Sequence, residues 1–314
     1  MAEKSMKKLV LLAVAQSAKG TPGTPTPGAN AMLVNGFMPS PIDGKFVERK
    51  IIRGAKGNYG GLFAGENCAL EFEVEWAGSA AAGTAPKFAL LNLACGMAET
   101  ITASISAAYQ PAAAVGATAY LTFYAYLDGV MFKITDAIGT KSWTVNSEEI
   151  PVQKFSFIGK YWPMTDVAFP SGISFTGFTD PLTVGFVNTP IFTLGGNSLV
   201  VKSFGMDLAN QLAWKNWIGD GGARSPDRKP TASAVFELPT VALQNWGEAL
   251  RLGTELALVL EHGTVAGNIC RLAAPKLQLS AKPTISDDGG TAVISCAFAV
   301  KPNAGNDELV ETFK

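Results

Sequence analysis

The sequence predicts a mainly β chain built of two related modules, each carrying one short α-helix. Three observations carry that reading. Strict alternation from Leu70 to Trp76 puts Leu70, Phe72, Val74 and Trp76 on one side of a strand and Glu71, Glu73 and Glu75 on the other. Clusters of Gly, Pro, Asn and Asp punctuate the chain at short intervals, as turns between strands require. The order strand, connector, capped helix at Cys68–Gly96 returns at Ala232–Gly253. The modules are expected at residues 1–165 and 196–314, joined by a Pro- and Gly-interrupted linker at 166–195. With 314 residues, 47% of them apolar, both modules can bury a core.

In chain order, Lys8–Gln16 reads as a strand. Its apolar run after Lys7-Lys8, ending in Ala13-Val14-Ala15, also has the outline of a secretory signal, but it is at the short limit and runs directly into turn-rich sequence. Gly20–Gly28 alternates Gly, Thr and Pro, which fixes an irregular arm. Ala31–Phe37 and Phe46–Arg53 are the next strands, and Gly54–Asn67 reads as a glycine-rich loop. A helix is expected between Thr84 as N-cap and Gly96 as left-handed C-cap, with Phe88, Leu91 and Cys95 on one stripe. Ala119–Leu127 and Val130–Ile134 form a hairpin about Asp128-Gly129, and Gln153–Trp162 follows as a strand.

The second module opens with a strand at Ser198–Met206, a loop at Ala213–Pro230 and a strand at Ala232–Leu238. A capped helix at Thr240–Gly253 turns Leu243, Trp246 and Leu250 to one face. Strands at Glu255–Glu261, Ile269–Leu272, Lys276–Lys282 and Thr291–Lys301 complete it, with a turn at Asp287–Gly290 before the last. Residues beyond Pro302 read as a frayed tail.

The chemistry of the chain excludes more than it proposes. Only 16% of residues are charged and acids nearly balance bases, so no cationic cluster stands ready for stable nucleic-acid binding. Sparse charge suits a surface covered by partners. No other apolar run approaches the ~20 residues of a membrane span. Cys68, Cys95, Cys270 and Cys296 lack metal-site spacing and read as free, buried thiols. His262 is the single histidine, at a turn, and reads as a satisfied or exposed residue rather than the base of a triad; no serine sits in a G-x-S-x-G elbow. Glu71, Glu73 and Glu75 have no partner motif for metal or acid–base work, so a solvated strand face is their default. Gly219–Ser225 outlines an anion cradle but lacks the end of a P-loop. Trp214 and Trp217, beside Lys215 and Arg224, suggest a contact patch. No catalytic, cofactor-binding or metal-binding residues are assigned.

One stretch is more specific. KKLVLLAVAQSAKGTPGTPTPGANAMLV, then IDGKFVERKIIRGAKGNYGG, then LEFEVEWAGSAAAGTAPKFALLNLACGMAET resembles the major tail tube proteins of long-tailed bacteriophages, including Mu-like siphophages and prophages. The likeness rests on the Thr/Pro/Gly segment ending in Ala29-Asn30-Ala31, the Glu48-Arg49 strand before a glycine-rich loop, and the helix motif at Thr84–Gly96. It covers the first third strongly and the remainder in layout.

The resemblance implies β-sandwich-like or barrel-like modules whose sheets join between subunits into a closed ring, with rings stacked as a hollow tube. Two modules per chain then imply a pseudo-hexameric trimer. It further implies assembly in the host bacterial cytoplasm around a tape-measure protein, contacts with tail terminator and tail-tip proteins, residence in the virion tail, and passage of double-stranded DNA during genome ejection, with no stable nucleic-acid binding and no membrane. On that basis Glu71, Glu73, Glu75 and Glu237 are candidates to line the lumen, where carboxylates repel a polyanion. Thr21, Pro22, Thr24, Pro25, Tyr59, Phe63, Trp214, Trp217 and Arg224 are candidates for contacts between rings and subunits. Two other classes compete. A secreted or surface-layer β-rich structural protein predicts paired cysteines, and an enzyme with unrecognised carboxylate chemistry needs a deep pocket around the glutamates.

Overall fold

The computed structural model describes residues 4–40, 42–52, 54, 56–113 and 119–314. A single antiparallel sheet runs through both halves of the chain. At one edge lie Asn35–Pro39 and Asp43–Glu48, both paired to Gly61–Glu75. The order continues through Val152–Tyr161, Val130–Asn146, Val201–Asp207, Thr231–Glu237 and Thr291–Lys301, and ends at Thr284–Asp288. The two halves meet where Ser142–Asn146 pairs with Ser203–Asp207.

The pairing pattern of the first half recurs in the second. Leu9–Ala15 pairs with Ala31–Met32 and Leu121–Leu127; Ile191–Leu194 pairs with Asn197–Ser198 and Glu255–His262. A bulge recurs at the same place: Leu121 and Phe123 face Ala137 and Ile134, while Leu256 and Leu258 face Leu277 and Ala274. Glu75 stands opposite Val152, and Glu237 stands opposite Val293. The halves differ by additions. The first carries an extra hairpin, Met97–Thr102 with Ser106–Pro111, and its 17-residue strand Val130–Asn146 corresponds to two strands in the second, Cys270–Leu279 and Thr284–Asp288.

Strands Leu9–Ala15 and Leu121–Leu127 fold back as a second layer, which places Phe123 against Phe72 and Phe157 with ring centroids 6.1 and 4.9 Å apart. The short helices Ala89–Ala94 and Trp246–Leu252 cover the same inner side. Phe88 meets Phe313 edge-on, and Trp246 lies 5.0 Å from Phe236. One buried cluster runs continuously from Leu11 to Phe313.

Several elements differ from the sequence reading. The loop expected at Gly54–Asn67 is strand from Gly61 onward, because its partner Asp43–Glu48 extends the sheet beyond the core as a two-stranded arm. Arg53 and Ala55 lie outside the described residues. Phe46 covers the backbone of Gly61, and Phe63 covers Gly44, so the glycines admit cross-strand rings. Ala213–Pro230 contains a hairpin, Ala213–Trp217 with Asp220–Arg224.

Thr84 does not cap the first helix: its N–H bonds Ala81 O, Gly83 takes φ +73° with no room for a Cβ beside the Thr102–Ile105 turn, and the helix begins only at Ala89. Gly96 does take the left-handed conformation, φ +76°, and Phe88, Leu91 and Cys95 are buried. In the second helix Asn245 is the cap, accepting from the Glu248 N–H at 3.1 Å, and Gly253 closes it at φ +64°. Trp246 and Ala249 face inward there, whereas Leu243 and Leu250 are exposed. The tail is not frayed. Val310–Phe313 pairs with Cys270–Ala273 on one side and Ala107–Tyr109 on the other, with Leu309, Glu311 and Phe313 fully buried.

Candidate functional site

Residues opposite one another in an antiparallel sheet share a face, so register alone shows what that face presents. One row runs Glu75, Val152, Thr144, Gly205, Ser233, Ala297; the next runs Glu73, Lys154, Ser142, Asp207, Thr231, Ala299. Glu71 continues the face on one side and Glu237 on the other, both exposed, while Glu73 and Glu75 are half-buried. The four glutamates predicted from alternation therefore lie on one side of one sheet, spread over both halves. Between them the wall is mostly Ser, Thr, Gly and Ala. Ser203, Gly205 and Asp207, alternating with buried Phe204 and Met206, carry the same sequence signal as the glutamates and widen the face.

The acidic face is partly neutralised. Lys154 Nζ lies 2.9 Å from Glu71 Oε2, and Ser156 Oγ donates to Glu71 Oε1 at 3.3 Å. The Lys154 hydrogen bond holds the Glu71 carboxyl below its ordinary range. Glu73, Glu75 and Glu237 have no ion-pair partner among the described residues.

The expected contact residues fall on three projections. In the Gly20–Gly28 arm, Thr21, Pro22 and Thr24 are exposed, while Pro25 is buried and anchors the arm within the chain. On the first hairpin arm Phe46, Leu62 and Phe63 are exposed, and Tyr59 is half-buried. On the second, Trp217 is exposed with the Arg224 guanidinium 4.5 Å from its ring centroid, and Trp214 is half-buried. Asp220 receives both Arg224, at 2.8 Å, and Lys19, at 2.9 Å, so this hairpin is tied to the turn that follows the N-terminal strand. The Gly219–Ser225 segment is therefore hairpin turn and strand, with its polar groups engaged within the chain.

The interior holds polar groups that alternation does not reveal. Lys141 Nζ donates to Glu311 Oε2, Asn92 Oδ1 and Gln153 Oε1 at 2.6, 2.7 and 2.7 Å. Glu311 Oε1 accepts from the indoles of Trp76 and Trp143 at 2.9 and 2.8 Å. His262 is the satisfied of the two alternatives, buried at the end of strand Glu255–His262. Its Nδ1 lies 2.9 Å from Thr189 Oγ1, its Nε2 lies 3.2 Å from Leu182 O, and it stacks on Trp76. Arg228 makes a two-pronged contact with Glu308 and also donates to Asn306 Oδ1 and Ala112 O.

All four cysteines are buried, and burial raises the Cys68 and Cys296 thiols to about 11 and about 12. Among the described residues no three His, Cys, Asp or Glu side chains converge as metal ligands, and no helix is long and apolar enough to cross a membrane.

A sheet with two edges that lack a strand partner among the described residues, one continuous polar wall and apolar projecting arms is the design of a self-associating structural subunit. The family model described as phage tail tube protein matches residues 7–300. The chain belongs to that family and is a structural component of a virion tail. No curated protein matches it.

Proposed function

We propose that this chain polymerises into stacked rings that form the hollow tail tube of a long-tailed phage, a conduit for genome ejection. The observation that carries the reading is the equivalence of Glu75 and Glu237, one opposite Val152 and the other opposite Val293, on one face of one sheet. Each repeat contributes the same acidic position to the same wall. Three two-repeat chains then make a pseudo-hexameric ring of six units.

Size supports more than one chain per ring. Closing only the eight strand positions of one chain would enclose a backbone diameter of about 16 Å, a barrel filled by its own side chains. Three chains supply 24 positions and a backbone diameter of about 48 Å, which leaves an open lumen. Glu71, Glu73, Glu75 and Glu237 would face that lumen. A wall of carboxylates and small hydroxyls repels phosphates rather than holding them, so DNA passes without lodging. The same lumen would hold the tape-measure protein during assembly in the host cytoplasm. Thr21, Pro22, Thr24, Tyr59, Phe63, Trp214, Trp217 and Arg224 would make contacts between rings and between neighbouring chains, and terminal rings would meet terminator and tip proteins.

Negative-stain microscopy of the purified protein at rising concentration tests this. Hollow tubes with three chains per ring are expected; six chains per ring would overturn the trimer, and persistent monomers the whole reading.

A further inference from the structure

The internal repeat specifies how the sheet continues beyond one chain. At the junction between halves, the five-residue segment Ser142–Asn146 receives Ser203–Asp207, with Ser203 opposite Asn146 and Asp207 opposite Ser142. Register through the neighbouring strands identifies the equivalents. Thr284–Asp288 lies against Thr291–Ser295 as Ser142–Asn146 lies against the strand beginning at Val152. Asn35–Pro39 pairs with Gly61–Glu75 as Val201–Asp207 pairs with Thr231–Glu237, with Asn35 opposite Glu73 and Ser203 opposite Val235. Each of these two segments has one paired edge and one edge with no strand partner in register among the described residues. They stand at opposite ends of the sheet.

We infer that Thr284–Asp288 of one copy pairs antiparallel with Asn35–Pro39 of the next copy, with Asp288 opposite Asn35, reproducing between chains the junction already present within the chain. This rests on the tube reading given above, and it names the edges that join.

Ile285 supports the match. It lies opposite buried Ile294, on the core side of the sheet, yet it is 64% exposed. Its equivalent, Trp143, is 1% exposed, with Met206 of the next strand beside it and Glu311 on its indole. Ile285 has no such next strand among the described residues. The heterologous edge-to-edge contact carries one strand end to the other, so it closes into a ring when the rotation permits. Pro39 supplies a carbonyl but no N–H, which removes one bond from the junction and suits an edge that must stay unpaired before assembly.

The test joins the edges covalently. Asn35→Cys combined with Asp288→Cys, oxidised after tube assembly, is expected to give disulfide-linked multimers on non-reducing gels. Each single variant should give none, and neither should Asn35→Cys with Ile285→Cys, whose side chains point to opposite faces. In parallel, hydrogen exchange of the unmodified protein before and after assembly should show new protection at 284–288 and 35–39. That measurement decides the matter if the double variant fails to assemble. Wild-type tubes without cross-link or protection would overturn the edge assignment alone, whereas wild-type protein that never forms tubes would overturn both readings.

Discussion

Lys141 Nζ sits 2.6 Å from Glu311 Oε2, with both side chains fully buried. Burial pushes the Lys141 ammonium toward its neutral form, and the Glu311 carboxylate opposes that. Every ammonium proton is used, since Asn92 and Gln153 take the other two. The pair thus pins the C-terminal strand to the helix and sheet of the first half. Glu311→Ala should cost about 3–5 kcal/mol, because it strands a buried cation and two indole N–H groups. Lys141→Met with Glu311→Leu should cost less than either single change, a non-additivity that denaturant melts of all three variants will measure.

The same pair marks the boundary of what the sequence discloses. Mainly β architecture, the Leu70–Trp76 face, the Asp128-Gly129 turn and the echo of one half in the other follow from period-2 alternation and turn chemistry, which are local. The Gly54–Asn67 stretch misleads because its glycines read as loop, whereas two of the arm's glycines, Gly44 and Gly61, sit beneath the rings of Phe63 and Phe46. The tail misleads for a different reason. Val310–Phe313 is too short to show a period, and its stability comes from partners about 40 and about 200 residues away in sequence. Glu311 in isolation looks like a solvated acid. The polar wall was legible as four glutamates, but its extent across Ser142, Asp207 and Thr231 needed the register.

His262 gives a pH prediction that a single resonance can check. Burial lowers its pKa from 6.5, and the hydrogen bond with Leu182 O only partly offsets this. Its folded pKa lies below its unfolded value, so its contribution is fully present above about pH 6.5 and is lost as pH falls from there toward the folded value. As the sequence holds one histidine, its imidazole signal should be unambiguous by NMR. It should remain neutral at pH 6.5, with the melting temperature falling as the buffer is taken lower. Titration at 6.5 or above would contradict the burial argument.

Glu71 and Glu255 act in the acidic range. The Lys154 hydrogen bond lowers Glu71, and hydrogen bonds from Lys301 and Lys276 lower Glu255. Depressed carboxylate values give stability that is present above about pH 4.5 and lost as pH falls through the lower folded values. Thermal melts from pH 7 to pH 3 should decline below that point, and Glu71→Gln with Glu255→Gln should flatten the decline. Both groups are exposed, so the difference is small and should shrink further in high salt.

The hairpin arm separates folding from assembly. Phe46, Leu62 and Phe63 are 61%, 65% and 43% exposed, on a pair of strands that extends past the core. A soluble monomer gains little from such a surface, and a buried contact between copies gains much. Leu62→Ser, with its side chain open to solvent, should change monomer stability by no more than about 0.5 kcal/mol. Phe46 and Phe63 also cover glycines across the arm, so their replacement loosens the hairpin locally while leaving the buried core unchanged. If the arm is a contact between rings, Leu62→Ser should raise the concentration at which tubes appear, and Phe46→Ser with Leu62→Ser should abolish them while the melting curve of the unassembled protein persists. Sedimentation at matched concentrations reads the first effect and circular dichroism the second. Tubes forming normally in the double variant would remove the arm from the assembly surface and leave that task to the Trp217 hairpin and the Thr21–Thr24 arm.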